Sequence, residues 1–144
     1  MSKRELILQD LVTTLRNIKK DNGYNYTVKT VTRTQEGWDK FPTTALPALV
    51  ITDDREEITY IAQRVHNRLF VTIRGILDHS ETASQDMNKL IEDVKLALGK
   101  DVTRGGYASD TQITTILTFQ RPEMPRSTIF FQLLITYEEL NPYR

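Results

Sequence analysis

The chain has 144 residues, 39% of them apolar, with 19 basic and 19 acidic side chains, zero formal net charge and no cysteine. That is about one domain, long enough to bury roughly two-thirds of its unfolded surface. The missing cysteines exclude disulfides, thiolate nucleophiles and zinc–thiolate sites. The balanced charge speaks against a protein that grips nucleic acid by its phosphates.

Residues 2–20 are predicted as a helix. Ser2 and Glu5 have capping-box spacing, and Leu8, Leu11, Leu15 and Ile18 recur at intervals of three and four. The start, MSKRELILQDL, lacks the continuous apolar core of a signal peptide, and no run reaches the ~20 apolar residues of a membrane helix. A soluble protein made in the cytoplasm is the expectation. Residues 24–34, YNYTVKTVTRT, are rich in Tyr, Val and Thr and are predicted as a strand. A loop of about a dozen residues, QEGWDKFPTTALP, follows and holds Trp38 and Phe41.

Residues 48–52 are predicted as a short strand behind Pro47, and a second strand is expected from Ile58. Between them lie Asp53, Asp54, Arg55, Glu56 and Glu57. Residues 67–77, NRLFVTIRGIL, form the next expected strand. Residues 83–98 are the clearest helix: Ala83, Met87, Leu90, Ile91, Val94 and Leu98 make one stripe, Gln85, Asp86, Lys89, Glu92, Asp93 and Lys95 occupy the rest, and Thr82 and Gly99 are natural caps. TQITTILTFQ and STIFFQLLITYEEL read as a closing hairpin joined by RPEMPR. The last strand is apolar on both sides, with Ile129, Phe131, Leu133, Ile135 and Tyr137 on one face and Phe130 and Leu134 on the other, so both faces should be covered. The expected class is α+β, a single domain in which two helices pack on a mainly antiparallel sheet, in the order α-β-β-β-β-α-β-β.

The four carboxylates at 53–57 could ligate a hard cation, which would make the chain a small divalent-metal-dependent enzyme. They lack the calcium-loop pattern, and Arg55 lies among them, so a solvated turn between two strands is the expectation. His66 and His79 have no third ligand at suitable spacing and read as surface residues. Gly105 and Gly106 lack the lysine and preceding strand of a phosphate loop. No catalytic constellation, metal site or cofactor site emerges. Large side chains in loops stand out instead. Trp38 and Phe41 either tuck over the core or meet a partner. Tyr107 beside Arg104, and Met124 between Arg121 and Arg126, have the composition of protein interfaces, and Tyr143 near the end joins these candidates.

Taken in order, LILQDLVTTLRNI, LPALVITDDREE, RLFVTIRGIL, ASQDMNKLIEDVKLAL and the closing FFQLLITYEELNP resemble the tail terminator, or tail completion, proteins of long-tailed bacteriophages. The likeness spans nearly the whole chain as an order of elements. Its strongest pieces are the Leu-Pro-Ala-Leu strand with its acidic run and the final ITYEEL strand. The resemblance implies one tail-terminator-like domain over residues 1–144 and a homo-oligomeric ring, usually of six subunits. That ring caps the tail tube at the head-proximal end of the virion tail and stops polymerisation of the tube protein. It also offers a surface to the neck, or head-completion, protein, with the sheath protein a further candidate partner. DNA passes through the lumen without specific binding. Other expectations from the same residues are a neck or head-completion protein, the equivalent cap of a contractile injection machine or prophage tail, and a free-standing ligand-binding module.

Overall fold

The structure is a computed structural model that describes residues 1–34, 40–120 and 125–141. The Ser2 hydroxyl accepts the Glu5 N–H at 3.1 Å and opens helix α1 (Lys3–Arg16). The helix is shorter than its periodicity predicts. The Ile18 carbonyl accepts the Val28 N–H at 2.9 Å, so the chain has already turned back on itself there.

Only Thr30–Thr32 (β1) of the strand expected over 24–34 pairs in the sheet. The reason lies in where the backbone donors go. Asn25 and Tyr26 give their N–H groups to the carboxylate of Asp93, and Val28 gives its own to Ile18, so none is left for a neighbouring strand.

The two strands expected at 48–52 and from Ile58 are one strand, β2 (Ala48–Ile61). The acidic run is therefore not a turn. It is the middle of the strand, interrupted by a bulge between Asp53 and Arg55 at which Asp54 is the extra residue. Counted as two arms about that bulge, β2 gives the order read from the sequence. A two-residue turn with Ala62 at φ +54° leads into β3 (Arg64–Asp78). Helix α2 (Ala83–Gly99), β4 (Asp110–Phe119) and β5 (Arg126–Leu140) complete the fold. The sheet runs β1-β2-β3-β5-β4, antiparallel except for β1 on β2, and the α+β class is the expected one.

Both helices lie on one face. Leu8, Leu11 and Leu15 of α1 and Met87, Leu90 and Val94 of α2 bury against Leu49, Ile73, Phe131 and Leu133. Gly75 lets α2 approach, since a Cβ there would sit 3.3 Å from Leu90. The opposite face carries a smaller cluster at one end, where Phe41 and Leu46 cover Ala48, Val50 and Ile76.

Strands of 14 and 15 residues span about 45–50 Å, whereas a 14-residue helix spans about 21 Å. The helix layer therefore cannot cover the sheet. Edge strand β4 stops at Asp110, level with Thr136. Beyond that level the sheet continues as a three-stranded arm of β2, β3 and β5.

Candidate functional site

Alternation along β2 divides the acidic run. Asp53 and Glu56 face the helices, while Asp54 and Glu57 face the other way with Thr72 and Arg68. On the helix side, Arg4 holds Asp53 at 2.8 Å and Glu56 at 3.7 Å, and the Tyr137 hydroxyl donates to Glu56 at 2.5 Å. Burial would raise the Asp53 carboxyl, but the Arg4 hydrogen bond, a backbone N–H and the charges of Arg4 and Arg33 outweigh it and hold the group below its usual range. Burial, then the hydrogen bond to Glu56, pushes the Tyr137 phenol up. On the open side, Thr72 donates to Asp54 at 2.5 Å and Glu57 meets Arg68 at 3.1 Å and Arg55 at 3.3 Å. Arg55 also lies 4.2 Å over the Phe70 ring. Each carboxylate thus has a partner of its own. Among the described residues no three metal-capable side chains converge.

The open face has a shallow hollow of about 460 Å³ lined by Thr52, Asp54, Thr72, Arg74, Leu117, Phe119, Phe130 and Gln132. Phe119 and Phe130 meet edge to face at 5.4 Å. Within the hollow the Thr72 hydroxyl is bonded to Asp54, with Arg74 and the two phenylalanine rings around them. His66 lies on the arm, 3.0 Å from Glu138, while the exposed His79 follows the end of β3.

The loop after α2 is closed on itself. Arg104, Gly105 and Gly106 all have positive φ, at 50°, 74° and 92°. Asp101 accepts the N–H groups of Thr103 and Gly105, each at 2.9 Å, filling the place an anion would take. Arg104, expected at an interface, is fully buried. Its guanidinium donates to the carbonyls of Leu98 (2.9 Å) and Asp101 and sits 3.7 Å from Asp10. Burial lowers its pKa, with Asp10 and Asp101 opposing the shift. It ties α1, α2 and the loop together and has no surface to offer a partner.

Of the other candidates, three are described. Phe41 is buried with Leu46, Val50 and Ile76, on the core-covering side of the two alternatives left open for it. Tyr107 is 39% exposed. Arg126 opens β5 opposite Asp78 and is half-buried. Trp38, Arg121, Met124 and Tyr143 lie outside the described residues. The described ones, Phe41, Arg104, Tyr107 and Arg126, are not gathered into one exposed patch.

A different set is exposed, Ile58 and Tyr60 on the helix side of the arm and Ile61 and Leu140 on its open side. Ile58, Tyr60, Ile61 and Leu140 on the arm are 49%, 55%, 57% and 72% exposed. α1's first turn reaches the root of the arm at Glu138, where Asn67 and Tyr137 are buried, and leaves Ile58, Tyr60, Ile61 and Leu140 exposed beyond it. The sequence carried the signal in EITYI, whose alternation is that of a half-buried strand. What it did not display was that the strands outrun the helices.

No family model matches the chain, and no curated protein matches it. A solved structure described as the virion of a native gene transfer agent (GTA) particle contains a chain similar to this one. The identity is 9%, 92% of each chain is covered and the TM-score is 0.46. So loose a likeness assigns neither an activity nor a partner. Among the described residues no helix is long and apolar enough to cross a membrane.

Proposed function

We propose that this chain is a structural virion protein, a subunit of a ring that caps the last ring of a phage tail tube. The ring stops tube growth and offers its far surface to the neck protein, and it sits at the head-proximal end of the tail with DNA passing through its lumen. The observation that carries this is the three-stranded arm. It exposes Ile58, Tyr60, Ile61 and Leu140 beyond the helix layer, and exposed apolar surface of that kind marks a site of association. The order of elements supports the reading, because it is the order of the tail terminators the sequence resembles. The divided carboxylates of β2 support a non-enzymatic role, since ligands for one cation must converge. A near-zero net charge suits a channel wall, because each phosphate held would slow the passage of DNA.

The test is the tail-length distribution, by electron microscopy, after deletion of the gene from its phage. Tails of variable, abnormal length without heads are expected. Tails of normal length that fail to join heads move the protein to the neck. Intact virions overturn the proposal.

A further inference from the structure

The sheet has two edge stretches beside which no strand lies among the described residues: β4, bound only to β5, and Arg55–Thr59 of β2, outside the Ala48–Val50 stretch that β1 pairs. Proteins guard such edges with charge, Pro or bulges, because an unguarded edge recruits another strand. β4 is poorly guarded. After Asp110 it has no charge and no Pro, and its bulge at Thr114 leaves Thr115–Phe119 regular. Arg55–Thr59 of β2 is a stretch of the same length on the opposite edge.

We propose that these two edges are halves of one interface, in which Thr115–Phe119 of one copy adds antiparallel to Arg55–Thr59 of the next. This deepens the ring reading above and rests on it. The faces restrict the register to steps of two residues, and full overlap of the two five-residue stretches fixes it. Thr115, Leu117 and Phe119 are on the open face of β4, level with Gln132, Phe130 and Thr128 of β5. Arg55, Glu57 and Thr59 are on the open face of β2, level with Phe70, Arg68 and His66. Keeping both open faces on one side sets Thr115 against Thr59, Leu117 against Glu57 and Phe119 against Arg55. On the helix side, Ile116 then meets Ile58. Three of the four pairs are of kinds that favour adjacency: hydroxyl with hydroxyl, cation with aromatic ring, apolar with apolar; the fourth sets Leu117 beside Glu57, whose carboxylate keeps its Arg68 and Arg55 partners.

Charge argues against one alternative. Antiparallel pairing of two β2 arms about Glu57 sets Glu57 against its own copy. Pairing β4 with β4 leaves Ile58 in water and closes a dimer, whereas joining β4 to β2 is head-to-tail, the arrangement a ring needs. Leu117 is level with Val50 across its own sheet, so successive copies are staggered by about six residues. Over four strands, that inclines the strands by roughly 45° to the ring axis, at the upper end of what closed sheets show.

The chain has no cysteine, so paired cysteines report the contact directly. Thr59→Cys with Thr115→Cys, and Ile58→Cys with Ile116→Cys, sample both kinds of cross-strand pair. The edges of one sheet are about 14 Å apart, beyond disulfide reach, so any link joins two copies. The expected result, under mild oxidant at high protein concentration, is a ladder of linked multimers from at least one double variant and none from the single variants. Far-UV circular dichroism checks that each variant is folded. No ladder from either folded double variant overturns the inference. So does a dimer linked through Thr115→Cys alone, which means β4 on β4. Particle mass is read in parallel. Rings without links leave the ring reading standing and remove the edge pairing. Monomers without links also remove the edge pairing, and the ring reading is then decided by tail length.

Discussion

The Asp93 carboxylate on α2 accepts the backbone N–H of Tyr26 at 2.9 Å, and that of Asn25 at 2.8 Å. One buried acid thereby anchors the segment between α1 and β1 to the second helix. An amide in its place has a single oxygen and turns an NH₂ towards one of the two donors. Asp93→Asn is expected to lower stability by about 1–3 kcal/mol, read from urea unfolding. An unchanged midpoint overturns the anchoring role.

Arg104 is the second anchor, fully buried among carbonyls of α2 and its following loop. Arg104→Met keeps an unbranched apolar stem and removes the donors. The loss expected is about 2–4 kcal/mol, because the charged group's hydrogen bonds vanish and carbonyls are left buried. A variant as stable as the parent in urea sinks this account.

The sequence made α2, the β4–β5 hairpin and the α+β class plain, because apolar stripes at 3.6 and 2 residues need only one covered face to appear. It hid Asp93 and Arg104 for a common reason. A charged residue at a polar position of a helix or beside glycines in a loop looks solvated until the fold supplies its partners. Asp53–Glu57 misled in the opposite way. Five charged residues in a row suggest a break, yet a strand sends alternate residues to opposite faces, and here each face supplies arginine or hydroxyl partners. Of the candidate interface residues, Arg104 and Phe41 proved to be buried, whereas the exposed arm came from strand lengths that no local motif encodes.

Acid should weaken the fold through a small set of carboxyls. Asp53 is held low despite its burial, chiefly by Arg4, while Glu5 is lowered by Arg33, and Asp101 by the Thr103 hydroxyl and the N–H groups of Gly105 and Thr103. A carboxyl depressed in the folded state contributes stability above its ordinary value, 3.8 for Asp and 4.5 for Glu, and loses it as pH falls through the folded value. The stability difference between the parent and Asp53→Asn is therefore expected at neutral pH and should shrink below pH 3.8. Thermal melts between pH 7 and pH 2 that show a constant difference overturn the Arg4–Asp53 contribution.

Gly75 lies beneath α2, where a methyl group would be 3.3 Å from Leu90, 3.5 Å from Leu49 and 3.7 Å from Ile129. Gly75→Ala should therefore push the helix outwards, at a cost of about 1–3 kcal/mol. Leu90→Val in the same chain makes room and should recover part of the loss. If the double variant is no more stable than the sum of its single changes implies, the close approach is not the cause.

Ile61 and Leu140 flank Arg64 on the open side of the arm, and neither is part of the core. Replacing both with Lys removes apolar surface that water already reaches, so the change in unfolding free energy should stay within about 0.5 kcal/mol per site. If the arm is an assembly surface, the folded variant should fail in assembly and leave tails of abnormal length in a phage that carries it. The pairing of stability with assembly is what gives the experiment its force. A variant that unfolds shows that the arm is internal structure after all. A stable variant that yields normal tails shows that these two side chains contact nothing that matters. Only a stable chain with defective tails places the interface on the arm.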